Sequence, residues 1–136
     1  MSARRKARKK ALDLLFEADL RGIGSVELLA SRVMDELSEA DYVKTLIEGV
    51  AEHRAKIDEL IHTYADGWDM DRMPTIDRNL LRIALFEILW NVNVDDSVAI
   101  SEAVELAQEL STKDSAGYLN GILGRVVLLK PVISLS

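Results

Sequence analysis

Seven consecutive positions near the start of the chain, residues 4 to 10, carry six cations: Arg4, Arg5, Lys6, Arg8, Lys9 and Lys10. Such a run can neutralise phosphate, which releases counterions and makes affinity depend steeply on salt. A second group lies near the other end: Lys113, Asp114 and, four positions later, Tyr118. A half-exposed aromatic can stack on an unpaired base while its neighbours touch phosphate and a base edge. Asp114 also has an ordinary reading, as a helix cap or as the acid in a capping box with Ser111.

Nothing else has the residue types for catalysis. A reaction centre needs a nucleophile with its base, a metal cluster or a phosphate loop. His53 and His62 are the two histidines. Nine apart on one helix they point about 180° from each other, so they cannot share a metal. There is no cysteine, which removes disulfides, thiolate chemistry and Cys-type zinc sites. Gly22-Ile23-Gly24 is too short for a nucleotide fingerprint. Glu87 is a carboxylate within an apolar helix, and the simple expectation is that it hydrogen-bonds a neighbouring element. No catalytic residue, metal or cofactor is expected.

The elements that must position these groups are helical. The chain has 136 residues, a size for one domain, and 49% are hydrophobic but only 5% aromatic. Leu, Ile, Val and Ala at helical spacing favour close-packed helices, and two prolines leave room for long ones. A first helix is expected from about Arg4 to Leu20, with Ala7, Ala11, Leu14, Leu15 and Ala18 on one face and Gly22 and Gly24 ending it. Leu12, Phe16 and Leu20 form a second apolar side of that helix. It is either buried too or open to another protein. A second helix follows over about Ser25–Leu37, and a long third over about Ser38–Ala65, started by Ser38-x-x-Asp41 and broken by Asp66-Gly67. The fourth, about Pro74–Trp90, is apolar on all sides from Ile83 onward except at Glu87, and so belongs at the centre. The fifth ends near Leu110, with Ser101, Glu102, Glu105 and Glu109 facing outward. The sixth runs from about Asp114 to Leu129 and stops at Pro131. Gly117, Gly121 and Gly124 share one side of it, which suggests close helix–helix packing.

Charge is unevenly spread. Net charge is −6, yet outside residues 4–10 there are 11 basic residues against 23 acidic ones. An acidic body with one basic end points to a polyanion contact at a defined place. The alternative is a merely solvated charge run. On a helix the six cations point in every direction, so the segment is expected to project as an arm or a frayed helix end. Asp13, Glu17 and Asp19 spoil a mitochondrial targeting pattern, and a membrane-surface helix would need a larger apolar face. No run approaches the roughly 18 apolar residues of a membrane span, so a cytoplasmic protein is expected.

Three segments, in order and at matching spacing, carry a resemblance. They are Leu81-Arg82-Ile83-Ala84-Leu85-Phe86-Glu87, then Val98-Ala99-Ile100-Ser101-Glu102-Ala103-Val104-Glu105-Leu106-Ala107, then Asp114-Ser115 followed by Asn120-Gly121-Ile122-Leu123. Together with the Arg-rich start they resemble the NusB transcription antitermination family over essentially the whole chain. The resemblance implies an all-α fold of six to seven helices in two packed three-helix bundles, forming one domain. It implies binding of the boxA element of nascent ribosomal RNA together with NusE, a small-subunit ribosomal protein, to help RNA polymerase pass terminators. The family's Arg-rich segment matches Arg4, Arg5, Lys6, Arg8, Lys9 and Lys10, and its RNA-contacting acid and aromatic match Asp114 and Tyr118. The NusE-facing positions match Phe16, where Tyr is common, and Asp77, where Glu is common. Family members occur as monomers and dimers, so a homodimer covering the RNA face stays open. The same fold occurs as the N-terminal domain of some ribosomal RNA cytosine methyltransferases. No cofactor-binding unit occurs up to Ser136, so no enzymatic activity is implied. A protein-binding helical scaffold with a basic tail remains the other reading.

Overall fold

The computed structural model describes residues 2–32, 39–65 and 69–135. Among them every regular element is helical. They are α1 (Ala3–Arg21), α2 (Ser25–Ala30), α3 (Ala40–Glu52), α4 (Arg54–Tyr64), α5 (Thr75–Trp90), α6 (Asp96–Leu110) and α7 (Ser115–Leu129), with 3-10 turns at Met70–Arg72 and Lys130–Val132. The Ser38 cap, the expected end of the second helix and the Asp66-Gly67 break lie outside the described residues.

Local chemistry sets the ends of α1. Ser2 Oγ accepts the Arg5 backbone N–H at 3.1 Å, and Gly22 closes the helix with φ +65°, a left-handed conformation that glycine adopts without strain. The long third helix expected from the sequence is two helices. The chain turns at His53 (φ −105°, ψ 15°), whose ring stacks on Trp90 at 4.0 Å with an interplanar angle of 9°. One turn earlier, a Cβ on Gly49 would lie 2.2 Å from the Phe86 ring, so α3 and α5 approach closely there because a side chain is missing. Contacts with α5 at Gly49 and His53 thus accompany the break in the helical periodicity.

α5 is the centre. Its residues from Asn79 to Ile88 are all buried. α1, α2 and α3 pack together on one side and α5, α6 and α7 on the other, while α1 and α3 also touch α5 and α4 covers α5 and α7. Ala7, Ala11, Leu14, Leu15 and Ala18 face the core as expected. Leu12 is buried too, so it does not extend an exposed patch. The glycines of α7 are a correction: Gly117, Gly121 and Gly124 are exposed, and a Cβ on any of them would meet nothing within 4 Å. They face away from the other helices.

One polar junction ties the end of α1 to α4 and α5. Asp19 accepts from Asn79 Nδ2 and Arg82 Nη1, each at 2.9 Å, and also from Arg78 and Arg54; Arg82 Nε reaches Asp58 at 2.9 Å. Burial alone would push the Asp19 carboxyl up, but the Asn79 amide and the Arg82 and Arg54 cations outweigh it and hold the group below its ordinary value. A depressed folded-state value contributes stability above the ordinary carboxylate range and loses it as pH falls through that range. The urea midpoint of the wild type should therefore fall more steeply below about pH 4 than that of Asp19→Asn. Parallel curves would remove Asp19 from the acid response.

Candidate nucleic-acid interface

The basic segment does not project. Residues 4–10 form the first turns of α1 and are tied by their side chains to α5 and α6, and this corrects the expected arm. The six cations fall into three groups. Arg8 is buried: its Nε is 3.0 Å from both Glu87 oxygens, its Nη2 is 2.9 Å from Glu87, and its Nη1 is 2.9 Å from Glu102. Glu87 also accepts from the Tyr42 hydroxyl, and the half-buried Tyr42 phenol is pushed well above its ordinary value by desolvation and by that carboxylate. Glu87 therefore hydrogen-bonds a neighbouring helix, as read from the sequence. Arg8 is a structural cation, not a phosphate ligand, and its place among the expected RNA contacts is withdrawn.

Arg5 and Lys9 form a second group, ion-paired but at the surface. Arg5 bonds Glu102 and Glu105 through its guanidinium, and Lys9 Nζ lies 2.8 Å from Glu109. These contacts hold the Glu102 carboxyl below its ordinary range, chiefly through the Arg5 hydrogen bond. Glu102 was expected to face outward; it faces α1 instead. The third group is accessible: Arg4 lies over the Tyr42 ring at 4.1 Å, Lys6 is exposed and Lys10 half-buried, and neither lysine has an ion-pair partner among the described residues. Arg5, Lys6 and Lys9 lie on the side of α1 opposite its Ala-rich core face, and Lys10 flanks them.

The Lys9–Glu109 pair joins this basic side to the last turn of α6. The chain then turns through Ser111–Asp114 into α7. Lys113 and Asp114 are exposed there, with no side-chain partner among the described residues. Asp114 occupies the N-cap position of α7, but its carboxylate makes no capping hydrogen bond. Both ordinary readings of this acid, cap and capping box, are thus left without a contact. Tyr118 is half-buried at the edge of the core, one turn into α7.

Asp77 lies elsewhere than expected. It is fully buried in the first turn of α5, and its oxygens accept the Ser111 hydroxyl and, at 2.6 Å, the Ser115 hydroxyl. An enclosed carboxylate cannot face a partner protein, so that assignment is corrected. Sequence reasoning missed its actual role because Ser111 and Ser115 lie 34 and 38 positions away, with nothing local to pair them with Asp77. Phe16 is half-buried, and next to it on the same side of α1 Leu20 is 65% exposed.

Comparison with known proteins agrees with this architecture. The family model described as the NusB family matches residues 5–128. The transcription antitermination protein NusB of Salinispora tropica is 57% identical over 130 residues, covering 93% of this chain and 96% of that protein. Among solved structures, T. maritima NusB superposes with a TM-score of 0.86 at 29% identity, covering 94% of this chain and 92% of that one. A NusB solved with NusE and double-stranded RNA gives 0.81 at 25% identity, over 94% and 98% of the two chains. With the match spanning nearly the whole chain, this protein belongs to the NusB family of transcription antitermination factors.

Proposed function

We propose that this chain binds boxA in nascent ribosomal RNA jointly with NusE and so helps RNA polymerase read through terminators. The observation that carries the reading is the basic side of α1, joined by Lys9–Glu109 to a junction bearing Lys113, Asp114 and Tyr118. Lys6, Lys10, Lys113 and Arg4, with Arg5 and Lys9, attract phosphates and fix register. Tyr118 stacks on an unpaired base, and Asp114 takes a base-edge donor. Phe16 and Leu20 offer NusE an apolar contact beside the RNA, consistent with the related complex that holds NusE and RNA together. The family is one of binding factors, not enzymes. Among the described residues no helix is long and apolar enough to cross a membrane. An antitermination role places the protein in the cytoplasm with the transcript.

The test is a titration with boxA and with a scrambled RNA, with and without NusE, at several salt concentrations. Tight binding of boxA that NusE strengthens supports the reading. Sequence-blind binding indifferent to NusE leaves a helical scaffold with a basic end. The double variant Lys6→Gln/Lys10→Gln should weaken both RNAs and flatten the salt dependence by roughly 0.7–0.9 in log–log slope for each phosphate left unneutralised. An unchanged slope would remove these two lysines from the interface.

A further inference from the structure

We propose that Glu105 and Glu109 of α6 are specificity-determining residues that compete with RNA phosphate for Arg5 and Lys9. The inference rests on the RNA-binding reading above and deepens it. Glu105 and Glu109 are about half exposed, at 48% and 44%, and they hold cations that are 23% and 35% exposed. Ion pairs this accessible are worth little, so an incoming phosphate can replace the carboxylate. The Arg8–Glu87 pair differs: its side chains are 4% and 1% exposed, and no phosphate can reach them. Glu102 is shared between Arg5 and Arg8 and is 13% exposed, so it is partly fixed as well. Glu105 and Glu109 are thus the two exchangeable acids along the basic side of α1.

Discrimination between RNAs follows from this exchange. A phosphate contact is available from any RNA, whereas contacts at Asp114 and Tyr118 depend on the bases. Holding Arg5 and Lys9 in internal pairs lowers the sequence-independent part of binding. RNA whose bases reach Asp114 and Tyr118 is held where its phosphates displace both carboxylates, whereas other RNA leaves the pairs closed, which is selection against wrong ligands.

Glu105→Gln and Glu109→Gln, singly and together, are titrated with boxA and scrambled RNA across a salt series. Scrambled RNA should bind more tightly, by roughly two- to fivefold per substitution, the size of an exposed ion pair, and boxA should gain less. The salt slope of scrambled RNA should steepen by roughly 0.7–0.9 with Glu109→Gln, which releases Lys9, and by less with Glu105→Gln, because Glu102 still holds Arg5, and the preference for boxA should shrink. Two further variants separate this from a general charge effect. Glu48→Gln removes an exposed acid that is not ion-paired among the described residues, and it should leave affinity unchanged. In a Lys9→Gln background the gain from Glu109→Gln should vanish. Unchanged or weaker binding, an equal gain from Glu48→Gln, or a gain that survives Lys9→Gln would each overturn the proposal. If the wild type binds both RNAs alike, the boxA reading falls, while the effect of the glutamates is still read from affinity and slope.

Discussion

Glu87→Ala should lower the free energy of unfolding by about 3–5 kcal/mol, read from urea denaturation at neutral pH. The pair it breaks is enclosed, with Arg8 3% and Glu87 1% exposed. Removing the carboxylate leaves a guanidinium out of water with only the Glu102 contact, and it strips the Tyr42 hydroxyl of an acceptor. Asn91, which donates to the Tyr42 oxygen at 3.2 Å, would lose its fixed neighbour. The double variant Arg8→Met/Glu87→Leu should cost far less than Glu87→Ala, because an apolar pair of similar volume leaves no charge behind. A cost below about 1 kcal/mol for Glu87→Ala would mean that water screens the pair, in the manner of surface ion pairs. The same comparison bears on function. If Arg8 only locks α1 to α5, the double variant should keep the salt slope of RNA binding.

The helical class and the central helix were readable because their signals are local. Ala7, Ala11, Leu14, Leu15 and Ala18 repeat at helical spacing, and Ile83–Trp90 has hardly a polar side. What the sequence hid depends on partners far along the chain. Six cations pointing around a helix suggest an arm until Glu87 and Glu102 are known to lie against them, 79 and 97 positions away from Arg8 and Arg5. The break at His53 has no glycine or proline to announce it; it coincides with a stack on Trp90 in another helix. The α7 glycines had the right spacing for a close contact, but spacing cannot say whether a neighbour is present. For the proposed interface, residue type pointed to side chains that are exposed at Lys6, Lys113 and Asp114. It misled where the same chemistry is used inside, as at Arg8 and Asp77.

Asp77→Ala should weaken discrimination of boxA from scrambled RNA while leaving the salt slope of binding in place. Asp77 staples the start of α7 to the first turn of α5 through Ser111 and Ser115, and Thr112 Oγ1 lies 2.7 Å from Ser115 Oγ within the same cluster. The carboxylate is itself favoured there, in the first turn of a helix where backbone N–H groups are unpaired. Lys113 and Asp114 lie between the stapled serines, and Tyr118 follows within one turn. Without the acceptor, two hydroxyls lose their partner, at a stability cost of about 1–3 kcal/mol. The junction then no longer fixes Asp114 and Tyr118 against each other. The proposed phosphate contacts of α1 stand on a separate anchorage and should persist, which is why the salt slope separates this effect from general unfolding. Ser111→Ala and Ser115→Ala should each reproduce part of the effect. Combined with Asp77→Ala they should add little, because all three act through one cluster. An Asp77 that touched NusE would behave differently: its removal would reduce NusE affinity, the serine variants would not, and binding of RNA alone would be unchanged. That second pattern would require the α6–α7 junction to open when NusE docks.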